Sequence, residues 1–366
     1  AQQIKFAVRY FVTAVMYWGF FYVAIIFGDS KITPKRILIT LTVIVALLDL
    51  VIKVAEIRPI MLEAYGYPGL PEYHWLIDAL LYQANYGWFR AAPQGFGAIQ
   101  LVGVYLLMYF LCNQLYKSKY WLYLLGATLC ILTYIVSVHR AALVVTFAAI
   151  FLSLIIIYFL FKEHKKTVYK KTLGILTYIF VGYMLITMVS PEIIGTTGFN
   201  ITERFQSLKD EIAFTRPDSG PRGWDNAASV KAIADSPIYG VGYSRYPDVY
   251  SIRPDYSDPT DIMPVLVVGL VCGIPGMLLV TWLLVYIAFS ALRIAFTNRL
   301  QFGTFMPYFS VFLMALIKTF SGAGAFLERI PLVAYALLLG CFLYDVKLVE
   351  QHKSMSRPDY LQQTKS

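Results

Sequence analysis

The chain has 366 residues, of which 58% are hydrophobic and 14% are charged, and its net charge is +9. Soluble globular chains carry about 25% charged residues, so this composition excludes a single water-soluble core. The basic residues fall largely between apolar runs and no nucleic-acid-binding motif accompanies them, so they indicate membrane topology and no nucleic-acid partner.

Long apolar runs recur along the whole chain. A membrane-spanning helix needs about 20 mostly apolar residues, and about nine runs satisfy this condition. They predict an all-α polytopic membrane protein. In chain order the runs lie at 6–27, 37–55, 95–115, 121–138, 141–161, 172–190, 262–290, 301–320 and 330–348.

Every second connection between these runs is rich in Lys and Arg, and such connections stay in the cytoplasm. The predicted cytoplasmic connections are 31–36, 117–119, 162–171 and 293–299. The predicted outer connections are 56–93, 137–140, 191–261 and 321–329. This orientation places the N-terminus outside, where Lys5 and Arg9 are unfavourable. Either an upstream helix is absent from this chain, or one run has been miscounted.

The longest outer connection has room for a functional site, because loops above about 15 residues are usually functional or disordered. Apolar residues from Trp224 to Ala234 recur at helical spacing, which predicts a partly helical cap. The predicted regions are N-terminal transmembrane helices at 1–190, a large outer loop at 191–261, C-terminal transmembrane helices at 262–348 and a cytoplasmic tail at 349–366.

The outer connections carry more arginine than the charge rule favours. Arginine presents a planar cationic fork that matches phosphate oxygens, so an outward cluster suggests a pyrophosphate ligand. The alternative is pairing with the many carboxylates of the same loop. Arg140 stands apart, because it lies beside His139 in a turn too short to carry a solvated domain. The outward arginines are Arg90, Arg140, Arg204, Arg216, Arg222, Arg245 and Arg253.

Three motifs of the long loop occur in a recognisable order. They are Arg-Phe-Gln-Ser-Leu at 204–208, Arg-Gly-Trp at 222–224 and Pro-Ile-Tyr-Gly-Val-Gly at 237–242. This order resembles that of the O-antigen polymerase and ligase family, although the spacing from Arg to Trp is shorter here. Similar pieces at 90–95, 139–143 and 269–276 extend the resemblance over roughly residues 85 to 285.

One motif departs from the ligases of that family. Ligases usually place His-Asn just before the helix that follows the loop, whereas this chain reads Asp258-Pro259-Thr260-Asp261 there. That His is thought to activate the acceptor or the diphosphate. The resemblance therefore favours a polymerase over a ligase.

The resemblance implies a glycosyltransferase with a GT-C-like helical bundle in the bacterial inner membrane and a site facing the periplasm. Donor and acceptor would both be undecaprenyl-pyrophosphate-linked oligosaccharides. Membrane lipid and a chain-length regulator protein are further implied partners. No cofactor or metal is expected, because arginines can neutralise the departing pyrophosphate.

The resemblance also assigns roles to individual residues. Arg222 and Arg140 are the expected catalytic residues on the leaving pyrophosphate, and Asp258 or Asp261 could accept the proton of the acceptor hydroxyl. The residues expected to bind substrate or pyrophosphate are Arg90, Arg204, Arg245, Trp224 and Tyr243.

The aromatic residues and glycines of the loop can also be explained by structure. The aromatic rings of the loop can stack on sugars, and they can equally anchor the chain at the membrane interface. Gly240 and Gly242 are expected to form a tight turn that larger side chains would disturb.

Two other functions remain open: a ligase that transfers glycan to lipid A-core, and a transporter of lipid-linked sugars. A transporter would be expected to show internal repeats and charges at mid-membrane depth. Asp49 and Lys53 could form such a relay, but an ion pair within one helix is the simpler interpretation. Lys318, near a helix end, is expected to snorkel towards the interface.

The cysteines suggest neither a disulfide framework nor a zinc site, because all lie in apolar runs and none forms a Cys-x-x-Cys pair. We expect them to be packing residues. They are Cys112, Cys130, Cys272 and Cys341.

Overall fold

The computed structural model describes residues 2–30, 33–51, 81–82, 92–93, 96–113, 119–137, 140–189, 221–242, 263–320 and 329–355. Ten helices lie in these ranges. They are α1 (Gln2–Ile26), α2 (Pro34–Val51), α3 (Phe96–Cys112), α4 (Lys119–Ser137), α5 (Arg140–Leu160), α6 (Lys165–Val189), α7 (Pro221–Asp235), α8 (Pro264–Thr297), α9 (Phe302–Phe320) and α10 (Arg329–Met355). A 3-10 turn, Arg299–Gln301, joins α8 to α9. Strands β1 (Leu81–Tyr82) and β2 (Ala92–Pro93) form a short antiparallel pair.

Each of the nine apolar runs overlaps a helix over its described residues, and α7 corresponds to the helix predicted from Trp224 to Ala234. Some helices extend further than the runs. Helix α6 begins at Lys165, seven residues before its run, and α10 continues to Met355, seven residues beyond position 348. Both extensions contain charged residues, which end an apolar run without ending a helix.

Among the described residues, two segments are long and apolar enough to cross a membrane. They are Pro264–Thr297, which is α8, and Arg299–Phe320, which comprises the 3-10 turn and α9. Shorter apolar stretches lie in α1, α3, α4 and α5. From Ile274 onward α8 exposes large apolar side chains, including Leu278 (65%), Trp282 (60%) and Phe289 (64%). A core helix of a soluble protein would bury these side chains, so this face fits a lipid environment.

Helices α3 and α9 form the centre of the bundle. Every residue from Gly97 to Met108 in α3 is buried, and so is every residue from Phe305 to Phe312 in α9. The two helices pack against each other, and Tyr105 of α3 contacts Tyr308 of α9 edge to face at 5.2 Å. A helix that is apolar on all faces needs apolar surroundings, and here neighbouring helices provide them for both.

Small residues bring α1 and α10 together. Ala24 of α1 is fully buried, and Gly340 of α10 lies so close that an added Cβ would collide with the Phe21 carbonyl. Such close backbone approach is typical of helix pairs in membranes, where packing and not water exclusion drives association.

The connections predicted to be cytoplasmic gather at one end of the bundle. Lys35, at the start of α2, forms a salt bridge of 2.9 Å with Asp345 in the second half of α10. Asn113, after α3, donates a hydrogen bond of 3.0 Å to the Gly303 carbonyl at the start of α9. Arg299 pairs with Glu163 in the turn after α5. The helices therefore alternate in direction, as the charge pattern predicts.

Cys112, Cys130 and Cys341 are buried, whereas Cys272 is exposed. The prediction that all four cysteines are packing residues is therefore wrong for Cys272. Its side chain lies at the break in α8 described below, where the helix surface is open.

Candidate functional site at the junction of α7 and α8

The two arginines expected to be catalytic both lie in the first turn of a helix. Arg140 is the first residue of α5 and Arg222 is the second residue of α7. Helix α7 packs against the start of α8. The other ends of α5 and α8 meet at Leu160 and Phe296, which line one groove. Both arginines therefore belong to the end of the bundle opposite the basic connections. Their side chains, and that of Trp224, lie outside the described part of the structure.

The remaining polar residues of the predicted site lie in undescribed segments, so their roles stay predictions. They are Arg90, Arg204, Arg245, Tyr243, Asp258 and Asp261.

Helix α7 is amphipathic, and its inner face forms a small core with α8. Pro221 opens the helix, at the position where its missing N–H has least effect. Ile233 is buried with Val265 and Leu270 of α8, in a cluster separate from the main core. The Asn226 side chain, fully buried, accepts a hydrogen bond of 3.3 Å from the Met263 N–H just before α8.

Helix α8 is broken at Gly273, which has φ 69° and ψ −170°. Pro275 follows within the helix and has no N–H to donate. In a regular helix the Ile274 N–H would donate to the Leu270 carbonyl. The break separates these two groups, so each needs another partner. We call the segment Ser236–Val241, which follows α7, the capping turn.

The capping turn supplies both missing partners. The Ile274 N–H donates to the Pro237 carbonyl at 2.7 Å, and the Leu270 carbonyl accepts from the Val241 N–H at 2.5 Å. Within the turn, the Ser236 hydroxyl donates to the Gly240 carbonyl at 2.8 Å. Helix α7 is thereby joined through backbone atoms to both halves of α8.

The glycines of this junction have conformations that other residues rarely adopt. Gly240 and Gly242 have φ of 65° and 76°. A Cβ on Gly240 would collide with the backbone of α8 at Gly269 and Leu270, and a Cβ on Gly273 would collide with the Pro237 and Ile238 carbonyls. Positive φ costs a side-chain-bearing residue about 1–2 kcal/mol.

A buried polar cluster lies near the same end of the bundle, and sequence reasoning missed it. Lys318 of α9 is 5% exposed and donates a hydrogen bond of 2.7 Å to the Gln100 side chain of α3. The Gln100 amide donates in turn to the Thr146 hydroxyl of α5 at 2.8 Å. The prediction that Lys318 snorkels is therefore wrong, because its ammonium group bonds inward. The sequence signal that could have indicated this cluster is the presence of a polar residue, Gln100 or Lys318, within each of two apolar runs.

Asp49 of α2 is 1% exposed, whereas Lys53 lies outside the described residues. The proposed pair within α2 therefore stays a prediction.

A shallow apolar groove of about 270 Å³ lies at the other end of the bundle. It is lined by Leu160, Phe289, Leu292, Arg293 and Phe296. The groove lies far from α7 along α8, so it is not the predicted transfer site. Within the described ranges, no group of three or more His, Cys, Asp or Glu side chains could hold a metal ion.

The described structure defines a helical protein with two segments able to cross a membrane and a short helix fixed on the broken end of one of them. No protein-family model matches the chain, and no curated protein matches its sequence.

Proposed function

We propose that the protein is a polysaccharide polymerase, a multi-pass glycosyltransferase of the bacterial inner membrane with its site on the periplasmic side. It transfers a glycan from undecaprenyl pyrophosphate onto the terminal sugar of a lipid-linked repeat unit, without a metal. The bundle would then be of the GT-C type.

The observation that carries this proposal is the assembly of three resembling motifs into one unit. The Arg-Gly-Trp motif, with Arg222 and Trp224, lies in α7. The Pro-Ile-Tyr-Gly-Val-Gly motif at 237–242 overlaps the capping turn, and the Gly-Ile-Pro-Gly motif begins at Gly273 in α8. Backbone hydrogen bonds join the turn to α8 on both sides of Gly273. Residues distant in the sequence thus fix α7, the helix that carries Arg222, against α8. This supports the proposal that Arg222 faces a lipid pyrophosphate.

In the proposed reaction, an acceptor hydroxyl oxygen attacks the anomeric carbon of the donor. The bond from that carbon to the pyrophosphate oxygen breaks, and the pyrophosphate leaves with the electron pair. Arg222 and Arg140 stabilise this charge, and Asp258 or Asp261 takes the hydroxyl proton. Loss of one preorganised donor to a developing anion typically slows a reaction about 100- to 1000-fold.

The test is chain growth in vitro. Purified protein in detergent is incubated with its undecaprenyl-pyrophosphate-linked repeat unit and EDTA, and product length is followed on a gel. A ladder is expected from the wild type. Arg222→Ala and Arg140→Ala should abolish the ladder while remaining monodisperse.

Two further variants make the comparison specific. Lys231→Ala removes an exposed cation from the same helix as Arg222 and should leave the ladder unchanged. Arg222→Lys keeps the charge but loses the planar fork, so reduced chain growth is expected. Absence of growth with an authentic donor would refute the polymerase. Transfer to an added lipid A-core acceptor would then indicate a ligase, and silence there would favour a transporter.

A further inference from the structure

The exposure of α8 changes abruptly at its break. Before Gly273, seven of the residues from Pro264 to Val271 are buried, partly beneath α7. Between the break and Phe289, the exposed side chains are apolar or aromatic, beginning with Ile274 (44%) and including Leu278 (65%). The first part of α8 is covered by protein, and the second part presents a face suited to lipid.

The length of α8 gives the same division. Its 34 residues span about 51 Å, whereas the hydrocarbon core is about 30 Å thick. Arg293 lies 20 residues after Gly273, which corresponds to about 30 Å of helix. Arg293 is exposed and lies at the end with the basic connections. If Arg293 lies at one boundary of the hydrocarbon core, the break at Gly273 therefore lies at the opposite boundary.

The capping turn lies at this boundary with two large side chains exposed. Ile238 is 62% exposed and Tyr239 is 81% exposed. The turn is bonded directly to Ile274, the first residue of the lipid-suited face. Tyrosine is enriched at membrane interfaces, where its ring contacts apolar atoms and its hydroxyl reaches water.

We propose that Ile238 and Tyr239 insert into the outer headgroup layer, so that the capping turn anchors α7 to the phospholipid surface. The turn is hydrogen-bonded to Ile274, where the lipid-suited face of α8 begins, and this proximity favours a bilayer as the partner of the turn. Lys231 and Asp235 on the exposed side of α7 stay in water. The anchor fixes the height of α7 above the membrane independently of any reaction that the protein catalyses.

The test measures the depth of single nitroxide labels in phosphatidylcholine and phosphatidylglycerol vesicles. Each label is attached to one introduced cysteine in a Cys272→Ser background, since the other three native cysteines are buried. Collision rates with oxygen, which concentrates in lipid, are compared with those of a water-soluble nickel chelate. Leu278→Cys is the deep control and Lys231→Cys is the water control.

Labels at Ile238→Cys and Tyr239→Cys are expected to lose most of the nickel collisions seen at residue 231, and to be shallower than residue 278. Nickel collisions equal to those at residue 231 would overturn the proposal and leave the turn free for a protein partner. A depth equal to that of residue 278 would also overturn it, because the break would then lie inside the hydrocarbon. Vesicles contain no glycan donor, so this result does not depend on the proposed function.

Discussion

The close contact between the capping turn and α8 predicts a large effect of a single methyl group at Gly240. Alanine at φ 65° costs about 1–2 kcal/mol. Its Cβ would also collide with the α8 backbone, so the turn must move away. This movement removes two hydrogen bonds, of the Val241 and Ile274 N–H groups, each worth about 1 kcal/mol. Docking of α7 should weaken by about 3 kcal/mol, which is about 100-fold in its equilibrium constant.

A buried reporter can measure that change. Ser229 of α7 is fully buried, so a cysteine there reacts with a maleimide only when α7 leaves α8. In a background of Ser229→Cys with Cys272→Ser, the labelling rate follows the undocked population. Gly240→Ala should raise this rate about 100-fold, as the docking constant requires.

Two glycines separate collision from backbone strain. Gly242 has φ 76° with no atom within 4 Å of an added Cβ, so Gly242→Ala should raise the rate only about tenfold, for about 1–2 kcal/mol of strain. Gly174 lies in α6 with the same open space at ordinary helical φ, so Gly174→Ala should leave the rate unchanged. The reasoning fails if Gly240→Ala labels no faster than Gly174→Ala.

Three other contacts give predictions about stability in detergent. Gln100→Leu removes the acceptor of the buried Lys318 ammonium and should lower the free energy of unfolding by about 2 kcal/mol, measured from the unfolding midpoint. Adding Lys318→Met should recover part of this loss, because the unpaired charge is then removed. Additive losses in the double variant would contradict this coupling. Asp345→Asn should lower the free energy of unfolding by about 2 kcal/mol, because it removes the salt bridge to Lys35. In a double-mutant cycle the loss should be much smaller in the Lys35→Met background, and equal losses in both backgrounds would count against the pair. Burial lowers the pKa of His164 from its ordinary 6.5, so its neutral form favours folding above that value and stability is lost as pH falls below it. His164→Phe should flatten the decline of the unfolding midpoint between pH 7 and pH 5, and an unchanged decline would exclude His164 as its source.

Apolar runs were sufficient to predict where most helices lie, because about 20 apolar residues have few stable alternatives in a membrane. Helix ends were less predictable. Glu350 and Gln351 are good helix formers, so α10 continues past the end of its apolar run. The break in α8 left a signal in Gly273 and Pro275, but that signal does not reveal that another segment caps both halves.

The candidate site was only partly readable from the sequence. Glycine at 240 and 242 suggested unusual backbone, since glycine adopts positive φ readily. The contact of Lys318 with Gln100 joins residues 218 positions apart, and no local pattern reports such a pairing. The structure places Arg140 and Arg222 in the first turns of α5 and α7, which the sequence did not predict, and their part in catalysis stays a prediction.

The enclosed position of α3 has a consequence for synthesis of the protein. One of its two principal neighbours, α9, is made about 200 residues later, a delay on the order of tens of seconds at ordinary translation rates. During this delay Gln100 lies on a surface of α3 that α9 will later cover. A chaperone or translocon component that shelters this polar face would prevent premature association with other proteins. The N-terminal helices are therefore expected to be the segment most vulnerable to degradation when synthesis stops before α9.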